Sequence, residues 1–504
     1  MKRSWPFLLL LIASPSSAQP PLRDAVTAYE HQQAPAILEE MRAFLAIPNV
    51  ASDAPNIARN AELLAAMMRR RGIETRLLRV EGAPPVVFGE LRTPGATKTI
   101  ALYAHYDGQP VDRSRWTGDP WTPLLRTDLV ERGGKEIPWK EAVAAPDPQW
   151  RLFARSASDD KAPIMAMLAA LDALRASGRT PGFNLKFFFE GEEEAGSPHL
   201  QRYLTDHRDL LGADLWLICD GPVHQSGRLQ LYFGARGVTG VDLTTYGATR
   251  PLHSGHYGNW APNPAVALTH IIDSMRDENG RILIDGWYDD VRPLTAAEKE
   301  ALAEVPPVED QLRDELSLGR TEGDRPLAEL ITRPALNVRG IRAGNVGAQA
   351  ANAIPTEATA SIDFRLVPDE TPRRVEQLVE AHLRKLGYTI VHDTPDAKTL
   401  RTNARVVKLA WEAGYPSARA PMDDPEVLAV QRRIEAITGQ SLIKMPTLGG
   451  SVPLYLFFDL LHSRAVGLPI VNYDNDQHGA NENLRLKNLW DGIEEFVGVF
   501  AKAP

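Results

Sequence analysis

The sequence predicts an α/β fold: a mostly parallel sheet with helices on both faces, into which a smaller α+β sandwich is inserted. Three observations carry this. Short apolar runs alternate with helical patterns from residue 86 to Asp220, as in strands joined by crossover helices. Near Arg236 the texture changes to polar–apolar alternation, and the first texture returns after about Met422. The chain has 504 residues, 43% of them hydrophobic, enough for two domains with substantial cores. The expected division is a leader at 1–18, a first domain in two parts at 19–235 and 419–504, and an insertion at 236–418.

Lys2 and Arg3, the apolar run 7–13 and Ser16-Ser17-Ala18 have the form of a secretory signal with its cleavage site. The run is far shorter than the roughly 20 residues that span a bilayer. The mature protein is therefore expected to be exported, periplasmic or secreted, without a membrane span. Cys219 is the single cysteine, so neither an intrachain disulfide nor a thiolate metal cluster is possible. The net charge is −9 and no basic stripe occurs, which argues against nucleic acid as a partner.

Residues 24–72 read as helical and end at Gly72, a C-cap. Strands follow at 86–91, 99–104, 185–189 and 214–219, with helices at 163–177 and 199–207. The Pro-, Trp- and Gly-rich stretch 112–150 reads as a long loop. In the insertion, strands are expected at 237–246, 335–339 and 357–367, and helices at 264–274 and 371–386. Residues 287–330 are acidic and partly helical. Helices at 425–438 and 486–499 complete the first domain.

The strand 185–189 runs into Glu190, Glu192, Glu193 and Glu194. A solvated acidic loop is the plain reading. Three other segments also end in acids or histidine, however: 99–104 at His105 and Asp107, 155–161 at Asp159 and Asp160, and 214–219 at Asp220. Ligand sites of open α/β sheets gather beyond the carboxyl ends of the strands. Four such endings at one rim point to metal binding and proton transfer.

The pieces AHYDGQPVD (104–112), RSASDDKAP (155–163), FEGEEEAGSPHL (189–200), ICDG (218–221), HSGHYG (253–258), NAIPTEATASIDFRLVPDETP (352–372), GGSVP (449–453) and HGANEN (478–483) fall in one order across the mature chain. In this the chain resembles the carnosinase, glutamate carboxypeptidase and aminoacylase family of dinuclear-zinc metallopeptidases and amidohydrolases. The resemblance implies that His105 and Asp220 hold one metal, Glu194 and His478 the other, and that Asp159 bridges them. It implies Glu193 as general base and Asp107 as the group orienting His105. It places His253, from the insertion of a partner subunit in a homodimer, at the developing oxyanion. Asn352, Arg365 and Ser451 would contact substrate, Arg365 its carboxylate. Ala162 departs from the Gly of many relatives, and Thr447-Leu448 stands where carnosinases have Arg-Glu.

Physical chemistry agrees with the ligand set. Two imidazoles and three carboxylates suit Zn²⁺ first, with Mn²⁺ or Co²⁺ as alternatives. A carboxylate has two oxygens and can bridge two metals. Glu193, beside a ligand, is free to accept a proton. Arg365 offers a planar fork to a carboxylate, with a salt bridge as the plainer alternative. Asp160 reads as a helix-dipole acid, Glu192 as exposed, and His256 as solvent-facing; His199, His207, His224 and His270 earn no role. The expected activity is metal-dependent cleavage of dipeptides or short peptides with a free C-terminal carboxylate. Deacylation of N-acyl amino acids is the alternative, and a non-catalytic exported binding protein is a remote third.

Overall fold

The computed structural model describes residues 20–502; the leader expected at 1–18 lies outside the described residues. Two helices open the chain, Leu22–Leu45 and Ala54–Arg70. The second starts where the Asp53 side chain accepts from Asn56 N–H. It ends before Gly72, whose φ of 67° is the left-handed conformation that glycine adopts freely.

The main sheet has eight strands, in the order Glu74–Leu78, Val86–Leu91, Asn184–Glu190, Thr99–His105, Leu215–Ile218, Arg464–Gly467, Gln230–Tyr232, Ile443–Met445. The central four run parallel, and both flanks include antiparallel pairings. The apolar runs read from the sequence are these central strands. Burial on both faces explains their texture: Phe187 and Phe189 enter one core, Phe188 the other. Helix Lys161–Ala176 is buried around most of its circumference, which is why it is apolar all round.

The second sheet has the order Ala335–Arg342, Glu357–Leu366, Gly237–Tyr246, Val406–Trp411, Thr389–Val391. Helices Pro264–Met275 and Pro372–Lys385 cover it through Leu268, Ile271, Met275, Val375, Val379 and Leu383. Among the described residues no helix is long and apolar enough to cross a membrane.

Two expectations change. The stretch 112–150 is not a bare loop: it contains strands Leu124–Arg126 and Glu136–Ile137 and helix Trp139–Ala144. These strands join Arg151–Phe153 and Asn483–Arg485 in a four-stranded sheet. Such short strands, paired partly with the far end of the chain, leave no alternation to read. The second change concerns 296–331, which packs with the first domain and not with the inserted sheet. Leu302, Val305, Ala328 and Ile331 enter the core beneath the main sheet, and buried Glu298 pairs with Arg419 at 2.8 Å. The helices there are short and polar, so their destination is set by a few scattered apolar contacts.

Candidate metal centre

Strand Thr99–His105 delivers His105 fully buried at its carboxyl end. Its Nε2 lies 3.0 Å from Asp159 Oδ1 and its Nδ1 3.4 Å from Asp107 Oδ1. The Asp107 carboxylate also accepts the backbone N–H groups of Glu193 and Glu194, each at 3.0 Å. Asp107 thus stands beside the imidazole with both its carboxylate and its backbone carbonyl, the latter 3.3 Å from Nδ1, and clamps the acidic turn.

Asp159 faces two ways: Oδ1 meets His105, while Oδ2 lies 3.2 Å from His478 Nε2. His478 Nε2 is also 3.2 Å from Glu194 Oε2. Two groups of potential ligands result, His105–Asp159–Asp220 and Asp159–Glu194–His478, with donor atoms within 4.8 Å of one another in each. Asp159 belongs to both. Glu193 belongs to neither, yet its Oε2 is 3.9 Å from His105 Nε2. The five expected ligands therefore converge, with Glu193 beside them.

The electrostatics are those of a cation site. Burial and the neighbouring charge of Asp159 raise Asp220 to about 6. The same two causes raise Glu194 to about 7. Burial, then Asp220 and Glu194, push Glu193 well above its usual range despite His105. Burial works against the charged form of Asp159 too, but the hydrogen bonds of His105 and His478 outweigh it and hold that acid below the usual range. Crowded carboxylates of this kind lack positive charge. Their donor chemistry, two imidazoles with three carboxylates, fits a pair of divalent ions.

The substrate-facing candidates divide. Arg365 Nη1 donates to Ser451 Oγ at 2.9 Å, and its Nε to Asp363 Oδ2 at 3.1 Å. The salt bridge to Asp363 is present, and Arg365 also lies beside Ser451. His253 and Asn352 lie on two paired segments instead: His253 pairs with Ala353, and Ser254 N–H donates to Asn352 O at 2.9 Å. Both are exposed. His253 Nδ1 accepts from Gly255 N–H, which assigns the proton to Nε2. Among the described residues no hydrogen bond or ion pair joins His253 to the buried cluster.

Three readings of single residues are corrected. Glu192 is buried, not exposed, and its carboxylate accepts from His199 N–H at 3.0 Å. His199 Nδ1 lies at the same distance from it, so His199 has a structural role. Asp160 stands at the start of its helix but makes no capping bond; it accepts from His105 N–H at 3.1 Å. Glu192 and Asp160 hold neighbours of the cluster in place, which a local pattern cannot reveal.

Glu482 was not foreseen. It is fully buried. One oxygen accepts from the backbone N–H groups of Ser158 and Asp159 and from Ser158 Oγ; the other accepts from Ser156 N–H and Arg155 Nη1. It fixes the turn that presents Asp159. Its spacing from His478 was the only available signal, and nothing in that spacing separates it from a solvated acid.

Residues 101–502 match the model of Peptidase family M20/M25/M40, and the chain belongs to this family. It is a metallopeptidase. It is 28% identical to the Beta-Ala-His dipeptidase of Homo sapiens over 83% of this chain and 77% of that one. It is 26% identical to the Cys-Gly metallodipeptidase dug1 of Schizosaccharomyces pombe over 90% and 92%. Among solved structures, the M20 family metallo-carboxypeptidase Sso-CP2 from Sulfolobus solfataricus superimposes with a TM-score of 0.75 at 28% identity, covering 92% of this chain and 98% of that one. Human carnosine dipeptidase 1 gives the same score at 24% identity, over 96% and 98%, a likeness of fold.

Proposed function

We infer that the enzyme hydrolyses the amide bond of dipeptides or short peptides whose C-terminal carboxylate is free. The carrying observation is Asp159, whose two oxygens face two separate groups of ligands. His105 and Asp220 would hold one divalent ion, Glu194 and His478 the other, with Zn²⁺ first and Mn²⁺ or Co²⁺ as alternatives. When bound, such ions polarise a carbonyl and make water more acidic. Glu193 takes a proton from the attacking water, whose oxygen bonds to the carbonyl carbon. As the C–N bond breaks, Glu193 returns the proton to the leaving amine. Arg365 and Ser451 receive the carboxylate. The names of the related dipeptidases support this substrate class.

His253 is assigned to the oxyanion of a partner's site, which makes the active form a homodimer. Its exposure and its proton on Nε2 support this, as do the exposed Trp260 at 78% and Val346 at 85% on the inserted domain. Strand Ala335–Arg342 at that sheet's edge has unpaired backbone groups to offer. Export rests on the leader at 1–18.

The test is hydrolysis of a dipeptide panel by metal-loaded protein, before and after chelation, with C-terminally amidated peptides as controls. Chelation is expected to abolish turnover, and amidation to weaken it severely. Full activity with one ion or none per chain would overturn the reading.

A further inference from the structure

Against the segment that follows Asp220 lies a cavity of about 770 Å³, within the range of small-molecule sites. Pro222, Tyr232, Leu448 and Met445 line its inner side; Leu302 and Val308, from the segment that left the inserted domain, line its outer side. One sequence neighbour and two contacts tie it to Asp220. Pro222 follows Asp220 by two residues. The Tyr232 hydroxyl donates to Asp220 O at 3.0 Å. The Leu448 side chain lies against Gly221, 3.6 Å from where a Cβ would stand.

The charged groups of the lining do not suit a charged ligand. The Glu309 carboxylate is engaged by the N–H groups of Val308 and Leu327, and Glu329 pairs with Arg333 at 3.0 Å. Lys299 is exposed to solvent. His224 Nδ1 accepts from Ser226 N–H, and burial lowers its pKa to about 4, so its ring is neutral near pH 7. Of the uncharged polar groups, Gln230 donates to Pro222 O at 2.8 Å and Thr447 Oγ1 to Leu448 O at 3.2 Å, while Gln225 stands at the lining; most of the other lining residues are apolar. The carboxylate-binding pair, Arg365 and Ser451, lies past Gly449 and Gly450 from Leu448, so the two ends of a substrate have separate places.

We propose that this cavity receives the acyl side of the scissile amide and selects a large apolar group there. That group is either the side chain of an apolar N-terminal residue or a fatty acyl chain; the chemistry is shared. The inference rests on the hydrolase reading above and deepens it. Each methylene buried in the cavity favours the transition state about fourfold.

The experiment uses two substrate series with one common C-terminal amino acid: dipeptides with Gly, Ala, Val, Leu or Phe at the N-terminus, and N-acyl derivatives from acetyl to decanoyl. kcat/KM is expected to climb about fourfold per methylene until the cavity is full. A slope confined to the dipeptides assigns an amino-acid side chain; a slope confined to the N-acyl series assigns a fatty acyl chain. Leu302→Trp and Val308→Phe, which fill the cavity from two different elements, should each bring long substrates down to the level of short ones. Calorimetric binding of the same series to Glu193→Gln protein reads the cavity without turnover. Tightening with chain length but no hydrolysis in the parent would keep the cavity and sink the hydrolase reading. Hydrolysis with a flat series, and flat binding, would overturn the cavity proposal and leave the hydrolase reading intact.

Discussion

His105 and His253 are imidazoles assigned to one reaction, and they live in opposite surroundings. His105 is fully buried, with Asp107 on one ring nitrogen and Asp159 on the other. His253 is exposed, and only Gly255 of its own turn occupies its Nδ1. A ligand must be fixed before substrate arrives, because every degree of looseness weakens metal affinity. A donor to a transient oxyanion need only be present when charge develops, so it can come from a separate surface. The five expected ligands converge within one chain, whereas among the described residues His253 makes no hydrogen bond or ion pair to them.

The sharpest way to probe the buried half is to separate two adjacent acids. Glu193→Gln keeps size and shape but cannot accept a proton, so turnover should fall by about 10²–10⁴-fold. Metal analysis should still find two ions per chain. Glu194→Gln should instead lose one ion and recover activity when metal is added. If the metal loss follows Glu193 instead, the assignment is displaced by one residue.

The exposed half is probed by mixing chains. His253→Ala should lower turnover by about 10²–10³-fold, the effect of removing one oxyanion donor. Mixed with Glu193→Gln chains, it should regain activity, since a heterodimer then contains one complete site. Absence of any recovery in a verified heterodimer would show that each site is built from one chain.

Glu482 tests whether rigidity is what distinguishes the buried half. Glu482→Gln leaves Arg155 buried without its partner, at a cost of about 3 kcal/mol. It also loosens the turn carrying Asp159, so metal affinity should drop by about 10–100-fold. Denaturant unfolding and metal titration measure the two effects. Unchanged values in both would mean the turn holds without it.

The smallest effect belongs to a buried acid with no cation site to serve. Burial, then the charges of Glu494 and Asp491, raise Glu30 from 4.5 to about 9, and its Oε1 has no hydrogen-bond partner. The folded state thus holds this proton more tightly than the unfolded one. The associated stability is fully present below pH 4.5 and is lost as pH rises towards 9. Glu30→Gln should therefore melt above the parent at pH 8.5 and level with it at pH 4.5. Equal melting at both values would show that water reaches the carboxylate.

Much of the buried half was legible because it sits where local pattern changes. An apolar run ending in His105, Asp220 or the 190–194 acids signals a strand end, and parallel strand ends share a rim. Motif order then led to different roles being expected of Glu193 and Glu194. Periodicity also delivered the inserted sheet and its helices, since each face carries its own spacing.

Burial, by contrast, is a property of what packs from elsewhere, and it decided the rest. Glu192, Glu193 and Glu194 are chemically identical neighbours, and their surroundings differ through the approach of His199, His105 and His478 respectively. Glu482 serves Asp159 because Asn483–Arg485 pairs with Arg151–Phe153 across most of the chain length. The segment 296–331 walls a cavity beside the loop after Asp220 because a handful of apolar side chains find the main sheet. These are long-range contacts between residues whose local texture is ordinary. Spacing along the chain encodes which face of an element is apolar; it does not encode which distant face will cover it.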